Sequence, residues 1–147
     1  MALLHTQLNG YLIFFNLHEF LEITRKINSH ENFIEELTEI LSLQNHPDRI
    51  SSISVLEERN NEIKVIASVG IEWKNDNAYI TKVEVLEIQL RGQHIGTTLI
   101  KMVIAIARYY GASSIFGVIS GSKDYRYDWY PKLGFKIYEG NKMKLEF

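Results

Sequence analysis

Residues 89–98 read Gln-Leu-Arg-Gly-Gln-His-Ile-Gly-Thr-Thr and gather small and hydrogen-bond-donating side chains in one place. They fall where an apolar run of strand type gives way to one of helical type. A helix N-terminus leaves its first backbone N–H groups unpaired and carries partial positive charge. Phosphate oxygens satisfy both needs. Gly92 and Gly96 omit side chains where a diphosphate would approach the backbone closely, Arg91 can neutralise its charge, and Thr97 and Thr98 bring hydroxyls to the first turn. The chemistry indicated is a diphosphate cradle built from backbone amides. An ordinary tight turn would use the same residue types, so this segment alone leaves both readings open. Neither the G-x-G-x-x-G of a dinucleotide fold nor the G-x-x-x-x-G-K-[ST] of a nucleotide loop occurs.

Other side chains have usable chemistry. Tyr130 offers a phenol with a pKa near 10. It would equally pack in a core beside Trp129 and Phe135. Glu84 shares a strand face with Lys82 and is a candidate base, directly or through water, or else simply an ion-paired sheet residue. Glu87 is a second such carboxylate. Tyr125, Tyr127, Trp129 and Tyr130 cluster around Arg126, an arrangement for stacking on rings or for local packing. His5, His18, His30 and His46 lack metal-ligand spacing, so no metal is expected. With no cysteine in the chain, a disulfide framework, a thiolate zinc site and a cysteine nucleophile are all excluded.

The elements that must position these groups follow from apolar periodicity. Residues 11–15 form a candidate strand. From 17 to 43 the apolar spacing is helical, interrupted at Asn28-Ser29-His30, which predicts two helices. The period then becomes two: strands over 50–58, 63–73 and 78–88, joined at Asn60-Asn61 and at Lys74-Asn75-Asp76-Asn77. Residues 95–110 are apolar almost all round and predict a largely buried helix that Gly111 stops. Residues 114–120 read as a strand covered on both faces. A short helical or turning segment over 124–133 ends at Gly134, and 135–138 and 143–147 make a final hairpin. The strand–helix–strand crossover from 78–88 to 114–120 should be parallel. The class is α+β: a mixed, mostly antiparallel sheet flanked by helices, with one parallel strand pair. Length and the lack of linkers predict a single domain over 1–147.

Arg91-Gly92-Gln93-His94-Ile95-Gly96 resembles the R/Q-x-x-G-x-G/A signature of the GNAT acetyltransferase superfamily. Tyr130-Pro131-Lys132-Leu133-Gly134-Phe135 resembles its second hallmark, Y-x-x-x-G-F. The element order is also that of the GNAT, or acyl-CoA N-acyltransferase, fold. Within the family, the stretch "GTTLI…ARYYGASSIFGVISG…YPKLGF" is similar to the acetyltransferase domain of the Elongator complex's catalytic subunit. The resemblance implies transfer of an acetyl group from acetyl-CoA to an amine of a small molecule or protein. It implies that Arg91, Gly92, Gln93, His94, Ile95, Gly96 and Thr97 hold the diphosphate. It also implies that the parallel strands splay around the pantetheine, that a backbone N–H at Val85 or Leu86 polarises the thioester, and that Tyr130 protonates the leaving thiolate. Segments 17–44 and 139–142 would read the acceptor, and a homodimer is the implied assembly.

Two residues depart from the pattern. His94 stands where glycine is usual, which at positive φ costs on the order of 1 kcal/mol. Pro131 follows Tyr130 and biases it away from helical dihedrals. These features keep a second reading open, a non-catalytic acetyl-CoA sensor that regulates a partner.

The net charge is −2, divided as −5 over residues 1–60, +1 over 61–120 and +2 over 121–147. No basic stripe marks a nucleic-acid binder. The opening residues lack a positive leader, and the apolar run 11–15 is too short to span a bilayer. A soluble, cytoplasmic protein is the expectation, with neither membrane nor nucleic acid as partner.

Overall fold

The structure is a computed structural model that describes residues 5–8, 10–14, 17–18, 20–22, 25, 49–85, 94–119 and 129–147. Strands form where the apolar period is two. β1 (His5–Leu8) and β2 (Tyr11–Phe14) make a hairpin, and β3 (Ser52–Arg59), β4 (Glu62–Lys74) and β5 (Asn77–Val85) an antiparallel meander. Helix α1 (Ile95–Tyr109) crosses to β6 (Ser114–Val118), and β7 (Lys136–Tyr138) and β8 (Lys142–Glu146) close the chain. The eight strands found among the described residues share one sheet, in the order β1-β2-β3-β4-β5-β6-β8-β7. β5 and β6 are the parallel pair that the crossover predicts. β2 also lies parallel to β3, a second parallel contact that the sequence did not suggest. β1 was missed as well, because His-Thr-Gln-Leu shows no apolar alternation. Residues 17–18, 20–22 and 25 are helical, and the second helix expected after Asn28 lies outside the described residues.

The hairpin between β3 and β4 turns on Asn60 and Asn61, at φ 53° and 64°, with Arg59 facing Glu62. Two consecutive positive φ values match the right-handed twist of the flanking strands. One face of the sheet is the core. Helix α1 packs on β4, β5 and β6, where Leu99, Met102, Val103 and Ile106 share a buried cluster with Val69, Ile71, Ala78 and Ile115; Leu12, Phe14, Ile53 and Val55 extend that cluster along β2 and β3. Such a helix draws its stability from this packing rather than from its own propensity.

The sequence overestimated burial in two places. The alternation along β4 suggests Ile63 and Val65 as core residues, yet they are 68% and 44% exposed. A bulge explains this: Val55 faces Ala67 and Leu56 faces Val65, so the extra residue Ile66 turns inward instead. β6 is not covered on both faces either. Val118 is 61% exposed, and half-buried Phe116 stacks on Tyr79 with centroids 5.2 Å apart.

Helix α1 ends on a paired set of backbone bonds. The Gly111 N–H donates to the Arg108 carbonyl (3.0 Å) and that of Ala112 to the Ala107 carbonyl (2.9 Å), with Gly111 at φ 73°. Gly134 also has positive φ, at 101°, but a Cβ there would lie 3.0 Å from Leu145 Cδ1, whereas Gly111 has open space. Gly111→Ala should therefore cost about 1 kcal/mol of urea-unfolding stability, the conformational penalty alone. Gly134→Ala should cost more, about 2–3 kcal/mol, because steric contact is added. The reverse order would contradict this packing.

Candidate active site

The sheet opens at one point. β5 and β6 share a ladder only from Asn77 opposite Ser114 to Ile80 opposite Gly117. Beyond it, residues 82–85 pair with β4 alone, and Val118 pairs with Lys142 of β8. The parting coincides with a bulge. Gly70 faces Lys82 while Ile71 faces Ile80, which leaves Thr81 as an extra residue in β5. A bulge bends its strand and increases the local twist. Gly70 makes the room, since a Cβ on it would collide with Thr81 Oγ1. Past Ile80 and Gly117 the two strands are no longer paired: β5 runs on to Val85, while β6 ends one residue later at Val118.

The start of α1 lies at that same end of the sheet, because a crossover helix begins where its strand ends. His94 caps it at φ 60°, ψ 22°, the left-handed conformation anticipated for this position, and its side chain makes no capping bond. The His94 carbonyl accepts from the backbone N–H of Thr98 and from the Thr98 hydroxyl, each at 3.0 Å. The sequence offered Thr98 as a ligand. Instead it is fully buried and its hydroxyl is turned back into the helix. Thr97 is half-buried, and its hydroxyl accepts from Trp129 Nε1 at 3.0 Å. The N–H groups of Ile95, Gly96 and Thr97 have no partner among the described residues. The first turn carries no acidic side chain to oppose the helix dipole. An added Cβ at Gly96 would meet Trp129 at 3.6 Å, an ordinary contact, so packing does not demand glycine there. Leu86, Glu87, Arg91, Gly92 and Gln93 lie outside the described residues, as do Tyr125, Arg126 and Tyr127.

Tyr130 sits in a helical turn over residues 129–132, closed by Leu133 N–H and Phe135 N–H donating to its carbonyl at 3.0 and 3.2 Å. Pro131 is accommodated in this turn, and its carbonyl accepts from Gly134 N–H at 3.0 Å. Tyr130 is 7% exposed. Its ring contacts Trp129 at 4.7 Å and Phe135 at 5.8 Å between centroids. Gly134 then reverses the chain so that Phe135 returns to the core beside Tyr130, which accounts for the Y-x-x-x-G-F spacing. Glu84 pairs with Lys82 at 2.5 Å and faces Ser68 across the sheet. Val85 ends β5 opposite Ala67. In the 139–142 turn, the hydrogen bond to Glu139 holds Lys142 above the usual lysine range, and Lys144 holds Glu146 below the usual carboxylate range. No group of three His, Cys, Asp or Glu able to hold a metal occurs among the described residues.

The chain belongs to the GNAT acetyltransferase family, whose model, described as "Acetyltransferase (GNAT) family", matches residues 17–135. It has the GNAT fold and is an acetyl-CoA-dependent N-acetyltransferase of that family. Solved structures agree on the fold. An IAA acetyltransferase from Bacillus cereus superposes with a TM-score of 0.51 at 21% identity, over 57% of this chain and 71% of that one. A GNAT family acetyltransferase from Elizabethkingia anophelis with acetyl-CoA bound gives 0.50 and 21%, over 61% and 72%. The ribosomal-protein-S18-alanine N-acetyltransferase from Escherichia coli gives 0.50 and 18%, over 60% and 64%, so the chain spans less than two thirds of that relative. No curated protein matches the sequence significantly.

Deletion of Thr81 tests the slot. Ile80, Lys82 and Val83 would then alternate regularly, so the sheet should keep its far-UV circular dichroism while β5 and β6 close together. Acetyl-CoA affinity measured by calorimetry should fall at least about tenfold, roughly 1.4 kcal/mol. Unchanged affinity in the folded variant would show that the bulge does not hold the slot open.

Proposed function

We propose that the unpartnered amides at the start of α1 bind the diphosphate of acetyl-CoA, that the pantetheine enters the parting of β5 and β6, and that the acetyl group passes directly to an amine. The observation that supports this most is that the N–H groups of Ile95, Gly96 and Thr97, without a partner among the described residues, lie at the sheet end where the β5–β6 ladder stops after Ile80 and Gly117. Arg91, Gly92, Gln93 and His94 complete the cradle in this proposal. His94 already adopts the left-handed conformation that a glycine would serve, and its backbone N–H is the group the cradle uses.

The chemistry assigns each group a task. A backbone N–H at Val85 or Leu86 polarises the thioester carbonyl, an interaction worth about 3 kcal/mol at comparable sites. The neutral amine attacks that carbon, the C–S bond breaks, Tyr130 gives its proton to the departing thiolate, and the proton shed by the acylated nitrogen passes through water to restore the Tyr130 phenol. Glu84, held by Lys82, takes the proton of an amine that arrives charged, directly or through water. An α-amine with pKa about 7.7–8.0 has a neutral fraction near pH 7 and demands no strong base. The acceptor is an amine on a small molecule or a protein, and we carry no Elongator-type substrate over from the resemblance. A single domain over 1–147, a homodimeric assembly and a cytoplasmic setting belong to the same proposal. Among the described residues, no helix is long and apolar enough to cross a membrane.

His94 and Pro131 were the reasons to consider a non-catalytic sensor. Both adopt backbone conformations compatible with a working site, which favours catalysis. Tyr130→Phe separates the two readings. It should lower kcat by roughly 10²–10⁴-fold, the worth of general acid help, while calorimetric acetyl-CoA affinity stays nearly intact. A screen of amines with thiol-release detection supplies the substrate. Equal kcat in the two proteins would remove Tyr130 from the mechanism, and wild-type protein inert on every amine would favour the sensor.

A further inference from the structure

Trp129 joins the two halves of the site across 32 residues of sequence. Its indole Nε1 donates to Thr97 Oγ1 at 3.0 Å, and its six-membered ring lies 3.6 Å from where a Gly96 Cβ would stand. On its other side it packs against Tyr130, centroids 4.7 Å apart and planes inclined by 50°. No other hydrogen bond of the first turn reaches outside the helix and its cap among the described residues.

We propose that Trp129 is a positioning residue that sets the first turn of α1 and Tyr130 in one frame, so that diphosphate binding and proton donation share a single alignment. Resting on the acetyltransferase reading above, this adds a residue that neither sequence motif contains. The physical case has two parts. With one of its two lone pairs taken by the indole N–H, the Thr97 hydroxyl keeps its own proton to donate toward the start of the helix. The ring over Gly96 fixes the backbone from which two of the open N–H groups project. A site whose donors are held before the ligand arrives loses less freedom on binding. Indole is suited to this double task because it joins a flat apolar body to one N–H donor.

The test is a mutant cycle on acetyl-CoA affinity, read by calorimetry on the full chain, with thermal unfolding to confirm that each variant is folded. Trp129→Phe keeps a ring over Gly96 and removes the donor. It should weaken binding about threefold to tenfold, the worth of one neutral hydrogen bond. That penalty should persist in a Thr97→Ser background, where the acceptor survives, and largely vanish in Thr97→Val, where it does not. Full affinity in Trp129→Phe, or an equal penalty in the Ser and Val backgrounds, would overturn the proposal while leaving the acetyltransferase reading intact. Wild-type protein that binds no acetyl-CoA would overturn both.

Discussion

The proposed site depends on a helix whose first amides have no partner among the described residues, beside the end of a parallel strand ladder. Unpaired N–H groups are costly when buried and useful when they face a ligand. The N–H groups of Ile95, Gly96 and Thr97 have no partner among the described residues, and they lie at the end of the sheet where the β5–β6 ladder stops. Everything else in the molecule supports that arrangement. The apolar flank of α1 anchors the helix through Leu99, Met102, Val103 and Ile106, all fully buried, so its first turn cannot drift. The bulge at Thr81, made possible by Gly70, parts the strands. Trp129 reaches that helix end through Thr97 and holds Tyr130 beside it.

These features carry different energetic weight. The core is a large cooperative term, and loss of any one buried aliphatic would be felt throughout the domain. The site elements are small terms. His94 in the left-handed region, a bulge and a helix start without an acidic cap each cost stability or leave it unclaimed. Local departures from the best packing are what a binding site requires, and the rigid sheet bears their cost.

Much of this was legible in the sequence, for identifiable reasons. The two-residue period gave β3, β4 and β5, Asn60-Asn61 gave the tight hairpin between the first two, and Gly111 gave the end of α1. The cradle reading rests on glycine, threonine and a basic residue at a strand-to-helix junction, types that an ordinary tight turn uses as well, so residue type alone leaves it open. What escaped depended on contacts far apart in the chain. The bulges at Ile66 and Thr81 are choices of register, which no local pattern declares. Thr98 looked like a ligand because its type fits, but its position on the buried side of the helix turned it inward. The Trp129–Thr97 bond spans two motifs that sequence reasoning treated separately. Glu84 and Lys82 share a strand face as anticipated, and the structure shows them ion-paired.

The most direct measurement is a crystal structure with coenzyme A bound. Diphosphate oxygens should lie about 2.7–3.2 Å from the backbone nitrogens of Gly96 and Thr97, with the pantetheine between residues 81–85 and Val118. A structure in which those nitrogens donate to protein carbonyls, or in which the diphosphate sits elsewhere, would contradict the account.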